Sequence, residues 1–202
     1  MALTHPIRRY LLLGLLGGAL LLSACGSHSY RGTVLEPPSP APDFTLTAHT
    51  GQPFRLSEQR GKVVLLFFGF TNCPDICPTA LNDLAVVRRK LGADAAQVQV
   101  AFVTVDPERD TLERLQQYVR IFDKTFLGLR GTQAELSPIL KAYGATAIRR
   151  DLPNSALGYT MDHSAFTYLI DQQGKWRELF NDSVSTDDMA GDIRYIVRNG
   201  VT

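Results

Sequence analysis

Cysteine is scarce: three residues in 202. That excludes the dense disulfide framework of a small export scaffold. Neither sign of charge dominates, with 21 basic against 20 acidic side chains and a net charge of +1. A chain so balanced has no electrostatic footprint for nucleic acid. Long apolar runs are missing too. The best candidate, "LLLGLLGGALLL" near the N-terminus, is too short and too glycine-rich for a spanning helix. No internal repeat is visible, and low complexity is confined to one proline-rich stretch. The remainder, 45% hydrophobic and 20% charged, is ordinary globular material of a length that suits one domain.

The short apolar run has a reading of its own. Arg8 and Arg9 precede it without an acid, and "LSAC" ends it at Cys25. A basic start, a greasy centre and small residues before a cut describe a secretory signal over residues 1–24. The cysteine directly after "LSA" resembles a bacterial lipobox, which implies that Cys25 is lipidated and that its fatty chains anchor the protein to a membrane. Residues 25–42, "CGSHSYRGTVLEPPSPAP", read as a proline-stiffened tether. The folded domain is expected over 43–202.

Within that domain, a turn between His49 and Pro53 suggests an N-terminal β-hairpin. "KVVLLFFGF" from Lys62 reads as a strand buried on both faces. Pro78 suits a first helical position with Cys77 at or near the cap, and Gly92 ends that helix. "VQVAFVTVD" is a second buried strand. Two helical stretches follow, opened by Asp110 with Glu113 and by Thr132 with Glu135 at capping-box spacing, with the short strand "FLGLRG" between them. Residues 145–162 have no clear period and read as a loop or an irregular hairpin. "SAFTYLID" and "KWRELF" form a hairpin around "QQG". A helix capped by Ser185 or Thr186 closes the chain. A βαβ start with a late antiparallel hairpin predicts an α/β, thioredoxin-like fold.

The chemistry centres on "FTNCPDICPTAL", which holds Cys73 and Cys77. Their position at a strand end and helix start favours thiolate over thiol. Pro74 and Pro78 stiffen the backbone between the sulfurs. Two thiolates on one turn can close a disulfide or grip a soft metal ion. A metal needs a further donor. Of the four histidines, His5 lies in the signal, His28 in the tether, and His49 in a turn where it reads as a solvated residue. His163, in "MDHSAFTYLID", precedes a strand whose start faces the cysteine turn. Thioredoxins and their relatives place a proline just before that strand. Here Ala165 takes its position. Two thiolates and an imidazole suit three-coordinate Cu(I) and can hold Cu(II), whereas a closed zinc site asks for a fourth ligand.

"FGFTNCPDICPTAL", "VTVDPERDT" and "MDHSAFTYLID", in this order, together resemble the Sco/SenC family, the copper-binding proteins of cytochrome c oxidase assembly. The resemblance implies a thioredoxin-like fold and a metal site made of Cys73, Cys77 and His163. It implies one copper ion per protein, a CuA-bearing oxidase subunit as partner, an upstream copper donor and a thiol reductant. It also places the domain on the periplasmic side of a membrane. The leading expectation is therefore a copper metallochaperone, not an enzyme. The alternative is a thiol–disulfide oxidoreductase that keeps the oxidase's copper-ligand cysteines reduced. A peroxiredoxin-type peroxidase needs a threonine and an arginine around a single reactive cysteine, which "TNCPDIC" does not supply. Asp106 to Asp110 reads as a helix cap plus a local ion pair, with support of the metal site or docking of a partner as the alternative.

Overall fold

The computed structural model describes residues 28–200; the signal segment and Cys25 lie outside them. Eight strands form one sheet: β1 (Thr33–Pro40), β2 (Thr45–Ala48), β3 (Pro53–Arg55), β4 (Val63–Gly69), β5 (Val98–Thr104), β6 (Leu127–Arg130), β9 (Thr167–Ile170) and β10 (Lys175–Phe180). Their spatial order is β1-β10-β9-β4-β5-β6-β2-β3. Two further strands, β7 (Ala147–Leu152) and β8 (Gly158–His163), pair only with each other. Among the described residues, four α-helices flank the sheet: α1 (Ile76–Leu91), α2 (Leu112–Phe122), α3 (Gln133–Ala142) and α4 (Thr186–Asn199). No helix among the described residues is long and apolar enough to cross a membrane.

The centre follows the predicted pattern. β4 and β5 run parallel from Val63↔Val98 to Gly69↔Thr104, and every residue of β4 is buried. Such strands read as unbroken apolar runs because both faces are covered. Successive side chains point to opposite faces, so Phe67 and Phe68 seed two aromatic clusters. Phe67 stacks on Phe102, which meets Tyr118. Phe68 meets Tyr168 and Tyr143, and Trp176 closes that group. The expected N-terminal hairpin is β2–β3, the late hairpin is β9–β10, and Thr132 with Glu135 forms a full capping box on α3.

Four expectations change. First, residues 33–40, read as tether, form β1 and pair antiparallel with β10. His28 stacks on Tyr195 at 4.1 Å and bonds Asp192 at 2.7 Å. The backbone N–H groups of Arg31 and Gly32 donate to Asp192 and Glu178. Burial, then the neighbouring Asp192, push the Glu178 carboxyl up to about 8. Prolines are tolerated here because β1 is an edge strand. Second, α1 starts at Ile76 with Asp75 as its cap, two residues before Pro78, and Cys77 lies within its first turn. Third, Thr111, not Asp110, caps α2. Fourth, residues 147–163 form a regular hairpin, β7–β8, although most of β7 is exposed.

Candidate metal centre

β4 delivers the chain to the site at its carboxyl end, where open α/β sheets gather their functional groups. Gly69 is the last residue of β4, and it must be glycine. A Cβ there would lie 2.8 Å from Cys77 Sγ and 2.7 Å from the Phe102 ring. A glycine inside a strand signals close approach, and here the approaching group is a site sulfur. α1 carries Cys77, fully buried, into the core, while Cys73 on the preceding turn is half-buried. The turn is fastened from below by Asp110. Its buried carboxylate accepts from the Thr71 N–H at 3.0 Å, and from the Thr71 and Thr104 hydroxyls at 2.6 Å each. Arg114 donates to Thr71 Oγ1 and Asn72 Oδ1.

His163 reaches the same point from the end of β8. Its Nε2 lies 3.4 Å from Cys77 Sγ and 3.9 Å from Cys73 Sγ. The three donor atoms all lie within 4.8 Å of one another, the one such group of three metal-capable side chains among the described residues. The ring is held edge-on by Phe67 and Phe70, and Nδ1 lies 3.0 Å from the Ser164 carbonyl. That contact fixes Nδ1–H as the donor and leaves Nε2 facing the sulfurs.

The two cysteines are not equivalent, and neither is in a disulfide. Hydrogen bonding from the Cys77 thiol, opposed by burial and aided by His163 and the Asp75 and Cys77 N–H groups, holds Cys73 down at about 4. Sharing its proton with Cys73, together with burial, pushes Cys77 well above the ordinary thiol range. Burial works against a charged His163, but the bond to Cys73 and the Ser164 carbonyl outweigh it and raise the imidazole above its ordinary value. The site therefore stores one thiolate, one thiol and one basic imidazole. Any metal bound by both sulfurs must displace the Cys77 proton.

The structure thus brings together all three residues singled out in the sequence. Ala165 lies on the rim of an apolar cleft with Ile76, Thr79 and Phe180. Asp75 is exposed and acts through its backbone N–H. His49 is not merely solvated: its Nδ1 accepts from the Gly128 N–H at 3.0 Å. Gly69 and Thr71 escaped the sequence reading, and Asp110, read there as a helix cap, is instead the buried acceptor beneath the turn. The glycine within "FFGF" was the available signal for the first.

The SCO1/SenC family model matches residues 33–198. The chain belongs to this family. An SCO2-like protein of Rickettsia prowazekii is 35% identical over 146 residues, covering 72% of this chain and 71% of its own. Among solved structures, copper-bound ScoI of Bradyrhizobium japonicum is 36% identical with a TM-score of 0.71, covering 77% of this chain and 98% of its own. Apo Sco1 of Thermus thermophilus is 37% identical with a TM-score of 0.75, covering 85% and 99%. The thioredoxin-like fold of the SCO1/SenC member is that of these relatives.

Proposed function

We propose that this chain binds one copper ion through Cys73, Cys77 and His163 and passes it to the CuA-bearing subunit of cytochrome c oxidase during assembly. The observation that carries this reading is the convergence of two sulfurs and one imidazole nitrogen within 4.8 Å. Two soft thiolates and a neutral imidazole match copper, and a three-donor set leaves the ion open to ligand exchange. Copper in the similar ScoI structure supports the reading. An upstream copper donor would load the site, and a thiol reductant would keep the pair reduced. Lipidated Cys25 would hold the domain on the periplasmic side of a membrane, residues 1–24 being removed as signal.

A second reading has its own observation, the thiolate character of Cys73 beside the Cys77 thiol. Cys73 would attack a partner disulfide, expelling one partner thiolate. Cys77, deprotonated, would then attack Cys73 and release the second. The partner leaves as a dithiol, the chain as a Cys73–Cys77 disulfide, and an external thiol reductant restores it.

Copper titration of the reduced full chain beside His163→Ala separates the two. The copper reading expects about one ion per chain, and affinity in the variant lower by at least the 10–100-fold lost with lesser, outer-shell changes. Equal affinity in the variant overturns the ligand assignment. Rapid disulfide reduction without copper uptake establishes the oxidoreductase instead.

A further inference from the structure

His163 stands on a hairpin that the main sheet does not hold. β7 and β8 pair only with each other, from Ala147↔His163 to Leu152↔Gly158. A two-stranded ribbon is marginal by itself, and no residue of either strand is fully buried. Yet its last residue must meet two sulfurs of the core.

What fastens it is the loop after β5. Tyr159, Met161 and His163 alternate along one face of β8. The Tyr159 ring lies between two guanidinium groups, with Arg109 Cζ 3.6 Å and Arg149 Cζ 3.7 Å from its centroid. Its hydroxyl donates to Asp106 Oδ1 at 2.8 Å. Arg109 donates through Nε to Asp106 Oδ2 and through Nη1 to the Tyr159 carbonyl at 3.0 Å. Arg149 also pairs with Glu108 at 3.1 Å. Arg109 Nη2 is buried without a hydrogen-bond partner, so stacking and the bonds of Nε and Nη1 fix this guanidinium. It lies 6.0 Å from the Phe70 ring, and Phe70 in turn meets His163 edge-on at 5.6 Å.

The other end of the same loop is Asp110, which fastens the cysteine turn through Thr71. We propose that residues 104–110 hold the two halves of the centre in register, Asp110 the cysteine half and Asp106 with Arg109 the histidine half, and that Arg109 and Tyr159 are positioning residues for His163. Naming His163 a copper ligand rests on the function proposed above; the fastening of the hairpin does not.

Tyr159→Phe removes one hydroxyl and keeps the stacked ring, so it retains the fold. Arg109→Gln removes the stack and the fork, and Arg109→Lys restores the charge without the planar fork. Two readouts are taken on the full chain. Hydrogen exchange without metal should show β7–β8 amides exchanging about tenfold faster in Tyr159→Phe and more in Arg109→Gln, with β4 and β5 unchanged, as for a locally opening unit. Copper affinity should fall about tenfold, the imidazole nitrogen coupling in the electron spin resonance of the Cu(II) form should weaken, and Arg109→Lys should rescue neither. Parent-like exchange in both Tyr159→Phe and Arg109→Gln overturns the fastening. A loosened hairpin with parent affinity and parent nitrogen coupling overturns the positioning role. A parent that binds no copper overturns the copper reading instead, and exchange alone then decides the fastening. If Arg109→Gln does not fold, Tyr159→Phe decides both arms.

Discussion

The two halves of the centre are built in opposite ways. The cysteine half grows out of the core: β4 is buried throughout, Cys77 is fully covered, and Asp110 satisfies the turn from within. The histidine half sits on a peripheral ribbon with an exposed outer strand. Two sulfurs set by the core and its adjoining turn thus meet an imidazole at the end of a ribbon that the main sheet does not pair with. Core elements open only near the global stability, peripheral ones well below it. Under the copper reading, an ion held by all three donors would be released most easily from the histidine side if the ribbon opens below the global stability.

Gly69→Ala breaks this contrast most severely. The new methyl would meet Phe102, Cys77 Sγ and Phe67 at 2.7, 2.8 and 3.0 Å. Two of these are aromatic rings of the buried cluster and cannot swing away. Overpacking of this kind costs about 3 kcal/mol, a loss on the order of 10 °C in Tm, and it displaces the Cys77 sulfur. Thermal unfolding followed by circular dichroism, with copper stoichiometry on the folded fraction, checks both effects. An unchanged Tm would show that the core around the sulfurs is softer than the packing implies.

A smaller effect sharpens how far the halves depend on each other. Cys73 is held at about 4 by Cys77 first, then by His163 and backbone N–H groups. A thiol depressed below its unfolded value contributes stability above the unfolded pKa, and the contribution fades as pH falls through the folded pKa. In the copper-free chain, Cys73 alkylation should stay fast from pH 8 down to about pH 5 and fall through about 4. In His163→Ala the fall should begin at higher pH, because one stabilising bond is gone. The rate profile with iodoacetamide, resolved by peptide mass, measures the shift. Coincident profiles would mean that the cysteine half ionises by itself.

Sequence legibility divides along the same line. The apolar run of β4, the βαβ order and the late hairpin could be read because burial imposes period and composition. Cys73, Cys77 and His163 stood out because soft donors are few. The β7–β8 ribbon was unreadable as regular structure. Its strands, "AIRRDL" and "GYTMDH", touch the core only through Ala147, Met161 and His163, which is too little burial to impose a period, and their polar contacts with residues 106–109 are far away in sequence. Asp110 was mistaken for a helix cap because spacing cannot distinguish a cap from a buried acceptor one residue earlier. The proline-rich segment looked like tether because an edge strand needs no apolar alternation, and its anchors, Asp192 and Glu178, are far away in sequence.

The smallest expected change probes the ribbon itself. Gly158 opens β8 with φ +68, and a Cβ there would meet nothing within 4 Å. Gly158→Ala is therefore a purely conformational change, unlike the steric one at Gly69. It costs about 1 kcal/mol, because an L side chain rarely adopts that backbone. The strain falls on the hairpin, and the contrast between the halves requires the hairpin to open below the global transition. Tm should stay at the parent value, while β7–β8 amides exchange about fivefold faster. Residue-resolved hydrogen exchange beside a melting curve separates the two quantities. A fall in Tm equal to that of a core substitution would show that the ribbon unfolds only with the domain, and the contrast between the two halves would disappear.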